Sequence, residues 1–333
     1  MSNPKRIIVT GATGHIGRAL CRRLIERGDA VVVFSRDPAA ARGRVPGAAE
    51  YVAWKPSLEG PWAAAVDGAD GVVHLAAASL FERRWSAEYK REIFESRQIG
   101  TRGLVQAMSQ AQRRPATFVC ITAVGYYGAR GDEPLNEESP PGDDFLAQVC
   151  RDAWEKEARA AEQLGVRTVL LRSGVVIGGG EGPRRLPIDL RGASLSRPGL
   201  VLKTEEGALA LLVLPFRFFA GGPILPGTQW ISWIHIDDIV GLILKALDDE
   251  RMRGPVNATA PEPLTNRDFV QTIGRVLGRP AWLPVPKFAL RLLVGEMADM
   301  VTTGQRVIPK RALELDYHFR YPSLEPALRD ILT

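Results

Sequence analysis

The stretch VTGATGHIG, Val9 to Gly17, sets glycines at positions 11, 14 and 17 between two segments of different periodicity. Upstream, RIIVT (6–10) is a continuous apolar run of the kind that forms a buried strand. Downstream, IGRALCRRLIERG (16–28) spaces Ile16, Leu20, Leu24 and Ile25 as one face of a helix and stops at Gly28. A chain that passes from strand to helix in so few residues needs glycine's freedom of turn, and it leaves unpaired N–H groups and a positive dipole end at the helix start. Such a unit predicts a cradle for the pyrophosphate of a dinucleotide, built from Gly11, Thr13, Gly14, His15, Ile16 and Gly17.

The same alternation continues. AVVVFS (30–35), GVVHLA (71–76), TFVCIT (117–122) and TVLLRSGVVI (168–177) read as buried parallel strands. Between them, 84–108 and 143–165 carry helical patterns, the second opening on acids and closing at Gly165. Strands alternating with helices predict an α/β fold, a Rossmann doubly wound parallel sheet, with a smaller, mainly helical C-terminal substrate domain. The expected division is 1–177 with 230–257 for the dinucleotide-binding domain, and 178–229 with 258–333 for the substrate-side lobe. The Gly/Pro/Arg-rich stretch 178–207 breaks the rhythm and reads as an excursion, a candidate lid or partner surface. The run 208–222, broken by Pro215 and Arg217, is too short to cross a bilayer and reads as a buried or interface helix.

The end of the second strand bears on which dinucleotide is bound. NAD-binding versions place an acid there for the ribose 2′-OH, whereas this chain has Ser35 and Arg36, a hydroxyl and a guanidinium suited to a 2′-phosphate. Asp37 follows one residue late for the ribose role. NADP(H) is therefore the expected cofactor. The net charge of +5 is modest and its basic residues are scattered, which argues against nucleic acid as a partner. Cys21, Cys120 and Cys150 fit no metal motif and no even disulfide framework, so reduced thiols, no metal and a cytoplasmic setting are expected. PKRIIVTGATG shows no signal-peptide pattern. The expected partners are a small-molecule substrate, with a homodimer compatible, and no membrane.

Taken together the motifs resemble the extended short-chain dehydrogenase/reductases, and one branch of them, the "epimerase family protein" group (short-chain dehydrogenase/reductase family 39U-like). The resemblance rests on GATGHIG, VVFSRDP, HLAAAS, RRWSAEYKREIFESR, TAVGYYG, DDFLAQVCRDAWEKEA, RSGVVIG, LPFRFFAGGP, QWISWIHIDDIV, GPVNATAPEPLTNRDF and GQRVIPKRAL, in family order and nearly end to end. The departure is the length between SGVV and EEGALALLVLPF, about thirty residues where the family has only a few. The resemblance implies NADP(H) binding with Ser35 and Arg36 at the 2′-phosphate. It places Leu75 and Ala76 beside the adenosine, Glu92 and Arg97 on the cofactor side, and Val176 near the nicotinamide. Gln229 and Trp230 are candidates for the wall of the substrate pocket.

The family's mechanism uses a tyrosine acid with a lysine one helical turn on, plus a Ser or Thr that orients the substrate oxygen. YVAWK (51–55) has the spelling but precedes Pro56 in a strand region, where four residues span about 13 Å, so Tyr51 and Lys55 cannot cooperate. In the helix where the pair belongs, 143–165, the expected positions fall near Leu146 and Cys150, and no tyrosine is present. Thr122 matches the family's Ser/Thr, and Tyr127, with its neighbour Tyr126, is the remaining candidate acid. Cys150 reads as an inert buried thiol. His235, Asp237 and Asp238 read as a helix start rather than acid–base machinery. Two functions follow: an NADP(H)-dependent oxidoreductase or epimerase lacking the usual pair, or a non-catalytic NADP(H)-binding sensor.

Overall fold

The computed structural model describes residues 4–178 and 208–332; the expected excursion lies almost wholly outside them. Seven strands form one parallel sheet: β1 (Arg6–Thr10), β2 (Ala30–Ser35), β3 (Glu50–Ala53), β4 (Gly71–His74), β5 (Thr117–Ala123), β6 (Arg167–Ser173) and β7 (Gly254–Ala258). Their spatial order is β7-β6-β5-β4-β1-β2-β3, so the winding reverses between β1 and β4. Ligands of open α/β sheets bind at the carboxyl ends of the strands flanking such a reversal.

Strand alternation explains why the strands read as unbroken apolar runs. Ile7, Val9, Val31, Val33, Val119 and Leu171 pack into one core, and Ile8, Val32, Phe34, Phe118, Cys120 and Leu170 into another on the opposite face. The first face is covered by α1 (His15–Glu26) and the second by α3 (Ala87–Gln110); α2 (Pro38–Arg44) follows β2. Burial of each such side chain contributes roughly 1.5–3 kcal/mol, which commits both faces to coverage.

The run read as one strand, TVLLRSGVVI, is broken, and so is QWISWIH. TVLLRSGVVI divides at Gly174, where a side chain would meet the Ser232 carbonyl oxygen at 2.5 Å. Beyond it, Val175–Ile177 leaves the main sheet and pairs with Trp233–His235. QWISWIH divides at Ser232, whose hydroxyl bonds the Gln305 carbonyl (2.7 Å), while Trp230–Ile231 pairs antiparallel with Leu264–Thr265. The segment 145–164, expected as a plain helix, is continuous but holds a seven-residue π turn, Val149–Glu155, and ends in a 3₁₀ turn at the left-handed Gly165. It is termed α4 below.

The C-terminal lobe is helical: α5 (Ala208–Arg217), α6 (Ile236–Asp248), α7 (Asn266–Leu277), α8 (Lys287–Val294), α9 (Met297–Thr302), α10 (Lys310–Glu314) and α11 (Leu324–Leu332). Of these, α6 packs on the main sheet beside α1. Phe216, Trp233, Phe269, Ile273, Leu324 and Leu328 form the separate core of the lobe. No helix among the described residues is long and apolar enough to cross a membrane.

Candidate functional site

The glycine loop has the shape its spacing predicts. Gly11 turns with φ +67°, and a side chain there would strike the backbone of Leu75 and Ala76 at 2.9 Å. Gly14 is the exposed N-cap of α1 and returns its N–H to the Gly11 carbonyl at 3.0 Å. Gly17 is packed so closely that a Cβ would lie 2.3 Å from the Gly11 oxygen. No cap side chain occupies the N-terminus of α1. A backbone concavity of this kind fits a pyrophosphate, since the N–H groups are free to point at it. His15 opens the helix with its Nε2 buried and unpartnered, and burial, reinforced by Arg18 and His235, lowers its pKa to about 4.

At the end of β2, Asp37 is the N-cap of the helix that follows. Its carboxylate accepts the Ala40 N–H at 3.0 Å and caps α2, while Ser35 Oγ bonds the Asp37 backbone on both sides, at 3.1 and 3.2 Å. Arg36 is exposed. Leu75 and Ala76 hold their N–H groups on Thr10 Oγ1, each at 3.2 Å, and that hydroxyl also meets His74 Nδ1 at 2.7 Å. The β4 end is thereby tied to the β1 end beside the glycine loop. Val176 lies half-buried opposite Ile234 in the short two-stranded ladder.

Glu92 and Arg97, on α3, part company. Glu92 is exposed, pairs with Arg83 and lines a shallow cleft of about 370 Å³ with Glu88, Arg91 and Glu95. Arg97 is 4% exposed and donates to the carbonyls of Ile93 (2.9 Å) and Ala78 (3.1 Å). YVAWK is a strand end, as its position predicts: Tyr51 is on β3 with its hydroxyl on the Val45 carbonyl at 2.6 Å, and Lys55 is exposed.

Beyond β5, Leu146 and Cys150 of α4 face Gly125, whose Cβ would lie 3.4 Å from Leu146 Cβ and 3.9 Å from Cys150 Sγ. These are the two positions inferred for the family's pair. Burial pushes the Cys150 thiol up to about 12, as expected for an inert group. The π turn adds a residue to the helix between these positions and Glu155, shifting which side chains face the sheet.

Glu155 anchors a buried polar network that pattern reading missed. Its carboxylate takes Arg172 Nε at 2.7 Å and Nη2 at 2.8 Å, and Thr122 Oγ1 donates to it at 3.3 Å. Arg172 Nη1 donates to the Tyr127 hydroxyl at 3.0 Å, and that hydroxyl donates to Asn257 Oδ1 at 2.7 Å. Asn257 continues the chain to Glu137, its backbone N–H on Oε1 at 2.8 Å. Glu155 and Arg172 are only 3% and 1% exposed. Burial works against the Arg172 charge, but the Glu155 carboxylate outweighs it and holds Arg172 above its ordinary value. The signal available in the sequence was Arg172 itself, a charge inside the apolar run TVLLRS that requires an acid partner when buried.

The tyrosine pair is thereby divided. Tyr127 is fully buried, its hydroxyl is occupied on both sides, and burial raises its pKa to about 12. Reaching a carbonyl near the nicotinamide, as its sequence position suggests, would require it to leave both Arg172 and Asn257. Tyr126 remains half-exposed, with the Arg172 guanidinium 3.4 Å from its ring centroid.

In the lobe, Gln229 is buried and donates to the carbonyls of Ile224 (3.0 Å) and Val301 (3.3 Å), leaving its Oε1 unpartnered. Trp230 is half-exposed, its Nε1 on Asp132 at 2.7 Å and Arg306 stacked on its ring at 4.7 Å. The WIHIDD segment is structural, with one difference from expectation: His235, rather than an aspartate, caps α6 by accepting the Asp237 N–H at 3.2 Å. Asp238 in the first turn takes the N–H groups of Arg320 (2.7 Å) and Tyr321 (3.0 Å), pinning the C-terminal segment to α6.

The model of the NAD dependent epimerase/dehydratase family matches residues 7–258, and a domain of unknown function, DUF1731, matches 285–331. The chain is 41% identical, over 98% of its length and 86% of the relative's, to "Epimerase family protein SDR39U1 homolog, chloroplastic" of Arabidopsis thaliana. It is 35% identical to "Epimerase family protein YfhF" of Bacillus subtilis, over 98% and 97% of the two chains. Among solved structures, that of human epimerase family protein SDR39U1 (isoform 2) with NADPH superposes with a TM-score of 0.79 at 33% identity, covering 98% and 99% of the two chains.

Proposed function

Since the chain belongs to the NAD dependent epimerase/dehydratase family, in the SDR39U1-like branch of epimerase family proteins, we propose that it is an NADP(H)-dependent oxidoreductase or epimerase acting on a small carbonyl or hydroxyl substrate. The observation that supports the choice of cofactor is the capping role of Asp37: with that carboxylate held by Ala40, the exposed Arg36 is the charged group beside Ser35, whose hydroxyl bonds the Asp37 backbone. Both suit a 2′-phosphate. Gly11, Thr13, Gly14, His15, Ile16 and Gly17 would hold the pyrophosphate, Leu75 and Ala76 the adenosine side, and Val176 would lie near the nicotinamide.

When bound, the cofactor supplies or accepts a hydride at the nicotinamide C4. The chain's part is to orient the substrate oxygen and handle its proton. Tyr126 is the tyrosine with an available hydroxyl, while Tyr127 with Arg172 would hold the ring pair in place. Thr122 would orient the substrate oxygen only by turning its hydroxyl away from Glu155, and Gln229 and Trp230 would wall the pocket. Titration of the protein with NADPH and NADH tests the cofactor: Arg36→Ala should weaken NADPH about tenfold or more and leave NADH unchanged, the loss of one charge-assisted contact. Equal affinity for the two cofactors in the unaltered protein would defeat the reading.

A second reading, a non-catalytic NADP(H) sensor, is supported by the lack of a tyrosine in 143–165, where Leu146 and Cys150 fall near the positions expected for the acid and its helper. Incubation with NADPH and a panel of carbonyl compounds separates the two. Steady absorbance loss with any compound rules out the sensor, and a bound but inert cofactor whose redox state alters partner binding rules out the enzyme.

A further inference from the structure

We infer that one apolar face of the C-terminal lobe, formed by the turn after α5, the ribbon 281–285 and α8, pairs with the same face of a second copy of this chain.

Ten large apolar side chains are exposed among the described residues, and seven of them gather here. Scattered singly they would need no explanation; gathered, they mark a contact surface. Phe218, Phe219, Trp282 and Phe288 are half to three-quarters exposed, and Leu225, Leu283 and Leu292 accompany them. The segments that carry them are laced together. Gly221 and Ile224 bridge in parallel to Ala281 and Val285. Leu283 N–H donates to the Gly221 carbonyl at 3.0 Å, Leu225 N–H to the Val285 carbonyl at 2.9 Å, and Trp282 Nε1 to the Phe219 carbonyl at 3.1 Å. Just beyond Val285, α8 sets Phe288 and Leu292 one turn apart, which puts both on one side of the helix. Phe219 holds φ +56°, a left-handed backbone that is costly for a bulky aromatic residue.

The size of the face fits a second copy. At roughly 150–250 Å² per aromatic side chain, the four aromatic residues alone present on the order of 500 Å². The three leucines bring the face toward the roughly 800 Å² that each partner contributes to a standard interface, beyond the largest patch of an ordinary monomer. Aromatic residues and arginine are the types enriched in such contacts, and Arg279 stacks on the Phe219 ring at 4.1 Å.

Charges of both signs adjoin the face. Lys287 and Arg291 of α8 share Asp299, at 3.0 and 3.8 Å, and Glu296 pairs with Lys90; all four α8-side groups are partly solvated. A two-fold contact sets residue i of one copy on residue j of the other, and j on i, so a face with its own cations and anions can satisfy its rim against itself. A face suited to anionic lipid would carry cations alone. Moreover, α8 is already fixed: Arg84 Nη2 donates to the Leu292 carbonyl at 2.5 Å, and the Lys90–Glu296 pair ties the same region to α3. A surface held before contact loses little freedom on association.

Sedimentation velocity on the full chain, from about 0.1 to 50 μM, tests the inference over a range that brackets interfaces of this size. The unaltered protein should sediment as a dimer at the upper end. Phe288→Glu with Leu292→Glu puts like charges opposite each other and should weaken dimerisation at least about a hundredfold, with NADPH affinity unchanged. Trp282→Ser, on the neighbouring ribbon, should weaken it about tenfold or more, and serves if the α8 variant folds poorly. Leu58→Glu, an exposed apolar position outside the face, should leave the dimer intact. A chain that stays monomeric throughout overturns the proposal, as does a dimer indifferent to the substitutions at Trp282, Phe288 and Leu292. Binding of a monomeric chain to phosphatidylserine vesicles, lost in the α8 variant, would assign the face to a lipid surface instead.

Discussion

Replacing Glu155 with leucine should cost more stability than any other single change at the site. The substitution removes the only carboxylate, among the described residues, on a guanidinium that is 1% exposed, leaving Arg172 Nε and Nη2 without acceptors and Thr122 without its partner. Breaking a buried pair from one side costs roughly 3–5 kcal/mol. For 333 residues, about 2.1 cal/mol/K per residue gives an unfolding entropy of about 0.7 kcal/mol/K, so a cooperative unit should melt about 4–7 °C lower. The discriminating companion is Glu155→Leu with Arg172→Met, which removes both charges at similar volume. Because a well-packed apolar pair is often as stable as the ion pair it replaces, the double variant should recover more than half of the loss. Denaturant unfolding and calorimetry on the four proteins complete the cycle. A single-variant cost below about 1 kcal/mol, the range of a solvated pair, would refute the buried-pair reasoning. A double-variant cost equal to the sum of the singles would do so too.

Gly17→Ala should abolish NADPH binding, because its Cβ would fall 2.3 Å from the Gly11 oxygen and 2.6 Å from Ala12 Cα, and titration checks this directly. Tyr127→Phe should lower stability by about 1–3 kcal/mol by leaving Asn257 and Arg172 short of a partner. Tyr126→Phe should leave stability nearly unchanged, and reduced turnover would mark its hydroxyl as the working one. His74 is fully buried with its pKa lowered to about 3, so below the ordinary histidine value of about 6.5 the unfolded chain takes up a proton that the folded chain refuses. Its stability contribution is present above that pH and is lost as pH falls toward 3, at up to about 1.4 kcal/mol per pH unit; in His74→Asn this part of the acid slope should vanish from the pH dependence of unfolding.

The elements that were legible in the sequence are those in which local pattern and global packing agree. β1, β2, β4 and β5 are apolar on both faces because helices cover both, and the glycines of the loop are required by close approaches that any side chain would violate. Ser35 and Arg36 could be positioned in the fold because the first ends β2 and the second immediately follows it. The role of Asp37 could not, since a carboxylate one residue late serves a ribose or a helix cap equally well until the start of α2 is known.

The polar centre was hidden for a different reason. Helical periodicity assumes a constant turn, and the π turn at Val149–Glu155 breaks that assumption. Counting back from Gly165 with an ordinary period cannot say that Glu155 reaches Arg172 while Cys150 reaches Gly125; the extra residue in the turn makes both contacts compatible. Arg172 and Arg97 are two buried charges, one inside an apolar strand and one on α3. Among the described residues the fold supplies an acid to the first and none to the second. Because removing one partner of a buried ion pair strands the other charge, experiment at Arg172 and Glu155 is directed to stability.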